Sequence, residues 1–335
     1  MCIRDSTYTY DARGNRLTSA KTEGYQATNL TFNAANEITN PAYAYDASGN
    51  MTKDIRGTFT YNAAGQMTTH TREQGTFTYT YAGGSQSELI KQKTTRGNYE
   101  YGYGRTNQFG LPVVEQVSLN GKTAHLENDP VTGQPLMLRT AEGVQSLYVY
   151  DGIGNPEALV TNQDSTTFAY DYDPYGVPAL NDENGEGDPV NPFQFKGGIH
   201  DRSTNWVKFG YRWYSVGTGR FTQRDTLDAP LDPANANRYT FAGNDPINYS
   251  DPLGLASREE AVGQLLGAGV AGLFTLVGAT GGPGGALAGA AIGGCLGDMV
   301  DESATAALEG TEDEVGVDDL ALRCAVGAAS GSLFG

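Results

Sequence analysis

Basic residues are scarce in this chain: 22 lysines and arginines face 39 aspartates and glutamates, a net charge of −17. A surface that neutralises phosphates needs the opposite balance, so no nucleic acid is expected on the bulk of the chain. Only 18% of residues are charged, too few for long salt-bridged helices or coiled coils to dominate. Three cysteines, Cys2, Cys295 and Cys324, are too few and too scattered for a disulfide scaffold or a zinc site. His70, His125 and His200 stand far apart, with no cysteine or acid at ligand spacing. No metal or other cofactor is therefore expected, and each histidine is assigned to a loop. The opening residues 1–6 (MCIRDS) lack a signal-peptide pattern and read as a non-native or disordered stub.

Glycine and tyrosine fill the gap. The 45 glycines in 335 residues are about twice the usual share of roughly 7%, and 20 tyrosines outnumber 12 phenylalanines and two tryptophans. From Thr7 to about Tyr249, short aromatic and threonine-rich stretches alternate with Gly, Asn and Asp, with hardly any helical periodicity. One unit recurs: Thr9-Tyr10-Asp11-Ala12-Arg13-Gly14-Asn15-Arg16-Leu17-Thr18. It returns from Thr31, from Ala44 and from Thr60, with aromatic anchors Phe32, Tyr45 and Tyr61 and later echoes at Tyr150-Asp151 and Tyr172-Asp173.

Each unit reads as strand, turn, strand. Alternating threonine and aromatic residues suit a half-buried strand. Asp11 or Asn33 can bond the backbone two residues on, and Gly14-Asn15 or Gly49-Asn50 supplies a positive φ. The apolar residue after the turn (Leu17, Ile38, Met51, Met67) returns to the inner face. A lone hairpin cannot bury that face, so the units are expected to join in one long sheet. An ordinary β-sandwich with Gly-Asn turns is the alternative.

These units resemble YD repeats. The stretch 197–255 resembles the Rhs-repeat-associated core that ends YD-repeat shells, on Phe209-Gly210-Tyr211-Arg212-Trp213-Tyr214, Gly219-Arg220-Phe221-Thr222-Gln223-Arg224-Asp225, Asn237-Arg238-Tyr239-Thr240-Phe241, Asn244-Asp245-Pro246-Ile247-Asn248 and Asp251-Pro252-Leu253-Gly254-Leu255. Within these motifs Gly219, Arg220, Tyr239, Pro246, Pro252 and Gly254 are expected to be structural. The resemblance implies a mainly β protein, with antiparallel hairpins in a curved, spiralling sheet that forms part of a shell around a hollow. It implies a secreted or cell-surface bacterial protein of which this chain is the C-terminal portion, and a variable C-terminal effector as encapsulated cargo. An immunity protein, components of a secretion machinery and a target membrane are the other partners in view.

The resemblance also implies self-cleavage between Leu255 and Ala256 by an aspartic-type pair, Asp225 and Asp251, supported by Arg212. Two carboxylates held close share a proton, so one acts as base towards water while the other acts as acid. A substrate tethered four residues beyond Asp251 reacts intramolecularly and once only. Asp225-Thr226 departs from the family's Asp-Pro. Read alone, Asp251 would be a turn starter and Asp225 a solvated loop acid. Arg220 is the runner-up arginine.

The chain changes character after Leu255. Residues 256–335 contain no Tyr, Trp, Lys, His or Asn, and hold two arginines against eleven acids. Ser257 is suited to cap a helix, and Ala261 to Gly297 carry no charge. Glycines at 263 and 267, 278 and 282, and 285, 289, 293 and 297 fall four apart, the spacing of a small-residue helix face. The tail is thus expected to be a Gly/Ala-rich α-helical segment: a membrane-active glycine-zipper effector, or a pre-toxin linker whose enzyme lies beyond it. The expected divisions are 1–6, 7–196, 197–255 and 256–335. A cell-surface YD-repeat adhesion protein that is never cut is the reading without a toxin.

Overall fold

The computed structural model describes residues 6–21, 29–82, 88–107, 110–161, 166–180, 190–226 and 236–255. The expectations placed on residues 1–5 and on the tail, 256–335, lie outside these. The described residues form antiparallel sheets with two short 3-10 turns, Phe195–Gly197 and Ala242–Asn244. The mainly β reading holds.

Fourteen strands, from β3 (Ala44–Tyr45) to β16 (Pro178–Leu180), follow one another in chain order as a single open meander. Alternation sets its two faces. In β5 (Gly57–Tyr61) Phe59 is buried, and in β6 (Met67–Arg72) Met67 and His70 are buried. In β7 (Gly75–Tyr81) Phe77 and Tyr79 are buried while Thr76, Thr78 and Thr80 are exposed. The outer threonines pair across strands, as Thr60 with Thr69 at 2.6 Å and Thr71 with Thr76 at 3.1 Å.

The repeat turn is a closed local structure. Asp46 Oδ1 accepts the Ser48 and Asn50 amides, each at 2.9 Å, and its Oδ2 accepts Asn50 Nδ2. Gly49 takes the left-handed conformation, φ +82°. The register shifts between Ala44 and Tyr45, a bulge repeated before the turns at Asp11, Asn62 and Asp151. Tyrosine adds a second device. Tyr61, Tyr103, Tyr150 and Tyr172 donate their hydroxyls to the carbonyls of Met51, Leu89, Pro135 and Pro156, each the first residue of the preceding strand.

Two expectations need correction. The first two units stand outside the long sheet. Among the described residues β1 (Ser6–Tyr10) and β2 (Arg16–Lys21) form a two-stranded sheet of their own, and the Thr31 unit contributes the isolated bridge Phe32–Ile38. Their turns bond the closing segment instead: Asn244 Nδ2 donates to the Gly14 carbonyl at 2.8 Å, and Arg220 Nη2 to the Asn36 carbonyl at 2.6 Å. Nor are the histidines in loops. His70 lies in β6, His125 in β11 (Lys122–Asn128) and His200 in β17 (Ile199–Asp201), with His70 and His200 buried.

The closing segment carries four strands, β17, β18 (Trp206–Phe209), β19 (Arg212–Ser215) and β20 (Arg220–Phe221). Every residue of β18 and β19 is buried, because both faces of this sheet are covered. Trp206 and Trp213 face the repeat sheet, with Trp206 at 4.4 Å from Phe59 and Trp213 at 5.5 Å from Tyr79 between ring centres. The other face packs Phe209, Tyr214 and Phe221 around Phe241. Polar bonds join the same two layers. Asp201, fully buried, accepts Tyr79 Oη, Ser203 Oγ and Thr204 Oγ1, and Ser203 Oγ lies 3.2 Å from His70 Nδ1.

Candidate functional site

Arg212 opens β19 immediately after the β18–β19 turn, on the same face as Phe209, its cross-strand partner. Its guanidinium carbon lies 3.7 Å from the centre of the Phe221 ring, which fixes the plane of the fork. From there Nη2 reaches Asp225 Oδ2 at 2.6 Å and Asp251 Oδ2 at 3.2 Å. Arg212 and Asp251 are buried almost completely, at 4% and 1% exposure, and Asp225 less so at 9%. Burial pulls the arginine's pKa below its ordinary value, and the charges of Asp251 and Asp225 oppose that shift.

The segment carrying the expected seam is bound to the same group. Arg212 Nε donates to the Gly254 carbonyl, and Asp251 Oδ1 accepts the Leu255 amide at 3.1 Å. The Tyr211 amide donates to the Leu253 carbonyl at 2.9 Å. Two glycines permit this close approach. A Cβ on Gly210 would sit 2.1 Å from the Leu253 carbonyl oxygen. One on Gly254, at φ +65°, would sit 2.5 Å from that of Phe209.

Asp225, Asp251, Arg212 and Leu255, named from sequence, are therefore adjacent, and Ala256 lies outside the described residues. A carboxyl pair beside a bound backbone has the groups needed to move one proton from a water and one to a leaving amine. Arg220 belongs elsewhere. Its Nη1 reaches Asn15 Oδ1 at 3.3 Å, and its guanidinium carbon lies within 4.8 Å of the Phe32 ring centre and 4.7 Å of that of Tyr239. Gly219, at φ +67°, admits Arg16 and Tyr175, Tyr239 Oη donates to the Gly49 carbonyl, and Pro246 is buried with Pro252 half-buried. Among the described residues no cluster of His, Cys, Asp or Glu has the arrangement of a metal site.

Sequence reading missed Arg238. Its Nε donates to the Asp225 carbonyl at 2.8 Å, and its own carbonyl accepts both the Asp225 amide at 2.9 Å and Arg212 Nη1 at 3.2 Å. The only sequence signal is its place inside Asn237-Arg238-Tyr239, which does not reveal what it grips.

Residues 4–247 match the Teneurin YD-shell family. The chain belongs to that family. Its resemblance to Rhs/YD-repeat shells thus stands on the fold, the repeat turns and this match together. It is 28% identical over 258 residues to the tRNA3(Ser)-specific nuclease WapA of Bacillus spizizenii, covering 74% of this chain and 11% of that protein. It is 24% identical to Teneurin-3 of Danio rerio over 72% of this chain and 9% of that one. It is 25% identical to double-stranded DNA deaminase toxin A of Burkholderia cenocepacia, over 74% and 19%. The crystal structure of TcdB2-TccC3 without its hypervariable C-terminal region shares the fold, with a TM-score of 0.56 and 19% identity over 75% of this chain and 13% of that one. The chain spans about a tenth of the length of the first of these relatives.

Proposed function

We propose that this chain is the closing end of a YD-repeat shell that delivers an effector, and that it cuts itself once between Leu255 and Ala256. The observation that carries the reading is the bound state of the seam, with Arg212 holding Asp225, Asp251 and the Gly254 carbonyl while Asp251 holds the Leu255 amide. In the proposed reaction a water oxygen attacks the Leu255 carbonyl carbon and gives its proton to one carboxylate of the pair. The other, protonated at the start, gives its proton to the Ala256 nitrogen as the C–N bond breaks. Beyond water no substrate has to bind from solution, because the segment that reacts is already tethered to Asp251.

The cargo is the tail, 256–335, with its 37 uncharged residues from Ala261 to Gly297. Its composition supports a membrane-inserting glycine-zipper effector or a pre-toxin linker, and leakage of liposomes by the released tail separates the two. Relatives named as a nuclease and a deaminase toxin support delivery; a secreted or surface location and an immunity partner belong to the same proposal. Intact-mass analysis of the full chain tests cleavage. A fragment that begins at Ala256, and that disappears in Asp225→Asn and in Asp251→Asn, is the expected result. An uncut chain under all conditions points to the second reading, a YD-repeat surface protein. One feature favours it: a single guanidinium between two buried carboxylates is also a sound structural clamp.

A further inference from the structure

We propose that Arg238 is the positioning residue that sets Asp225 against Arg212, and that its own place is set by the repeat turns; this rests on the cleavage reading above. Asp225 is the most exposed member of the triad and needs a restraint from outside it. Arg238 supplies two. Its Nε and Nη2 both donate to the Asp225 carbonyl, and its carbonyl accepts the Asp225 amide in return. That same carbonyl accepts Arg212 Nη1 at 3.2 Å. One residue thus fixes the backbone that carries Asp225 and the fork that reads its carboxylate.

The neighbours of Arg238 are pinned to the repeats. On one side Asn237 Nδ2 donates to the Arg13 carbonyl at 3.1 Å and to Asn15 Oδ1 at 2.8 Å. On the other, Tyr239 Oη donates to the Gly49 carbonyl at 2.8 Å. These are turns of the first and third repeat units, some 190 to 224 residues earlier in the chain. The site is therefore completed when those two turns are seated on the end segment, which delays cutting until then. In this scheme Arg238 acts through Asp225.

The test follows the full chain made by cell-free synthesis, pulse-labelled and chased, with the fragment beginning at Ala256 measured over time. Misplacing a reacting group by about 1 Å costs on the order of a hundredfold. Arg238→Ala should slow cleavage by about that factor, and Arg238→Lys, which keeps one donor on the Asp225 carbonyl, should recover at least about tenfold of it. Melting temperatures of both variants, taken in the uncut Asp251→Asn background, should differ from each other by less than about 4 °C, so that rescue is not refolding. If the parent chain cleaves and Asp225→Asn stops it, but Arg238→Ala cuts within about threefold of the parent, this inference falls and the cleavage reading survives. Equal slowing in the Ala and Lys variants, with equal loss of melting temperature, also overturns it. If the parent chain never cuts, both fall.

Discussion

Asp46 and Arg212 each hold a stretch of backbone in place, by opposite means. The Asp46 carboxylate accepts from Ser48 and Asn50, and nearly the same bonds recur at Asp11, Asn62 and Asp151. Arg212 reaches the Arg238 carbonyl, Asp251 and the Gly254 carbonyl, which lie 26, 39 and 42 residues away. The repeat sheet is built from similar units whose turns are closed mainly by local bonds. The end segment makes each of its bonds once, and they converge on a few buried charges. The first arrangement suits a wall that can be lengthened unit by unit, and the second suits a closure that must form in one way.

Arg212→Leu should break the comparison open most widely. It leaves Asp225 and Asp251 buried without their counter-charge, a loss of about 3–5 kcal/mol read by urea unfolding. Gly254→Ala comes next. Its Cβ meets the Phe209 carbonyl and its φ of +65° is strained for alanine, so a loss of about 2 kcal/mol is expected, together with freer exchange of the Leu255 amide. At the small end, Asp46→Ala removes bonds from one turn among several and should cost about 1 kcal/mol. A loss from Asp46→Ala as large as that from Arg212→Leu would erase the distinction between the two regions.

pH separates them in another way. Burial lowers the pKa of His200, in the end segment, to about 4. The unfolded chain then takes up a proton first, so stability from this group is lost as pH falls from about 6.5 to about 4. His200→Gln should flatten that limb in acid unfolding curves. In the repeat sheet, burial raises Tyr61, Tyr81 and Tyr103 above their ordinary value of 10.0. Their stability is present below pH 10 and is lost as the unfolded chain deprotonates above it. Near-ultraviolet titration should show tyrosine ionising together with unfolding on the alkaline side.

What could be read from the sequence follows the same division. The turn at Asp46 was legible because the partners of the Asp46 side chain lie within four residues, and the threonine–aromatic alternation gave the faces of β5 to β7. The carboxylates and arginine of the site were nameable only through family resemblance; nothing near Asp225 signals that it meets Asp251. The tyrosine bonds from one strand to the start of another, the Asp201 cluster under Tyr79 and the grip of Arg238 depend on pairings that only the folded chain makes. The detachment of the Asp11 and Asn33 units from the long sheet was illegible for that reason too. Their sequence matches the units inside it, and their partners Arg220, Asn237 and Asn244 lie some 180 to 230 residues away.

Hydrogen exchange at the Leu255 amide tests most directly whether the seam is held in the site. With Asp251 Oδ1 accepting that proton, exchange should be slowed at least about a hundredfold relative to an unstructured peptide, and Asp251→Ala should release it. Exchange at the free-peptide rate in the parent chain would contradict the account, because the chain would then leave the end segment before reaching Leu255.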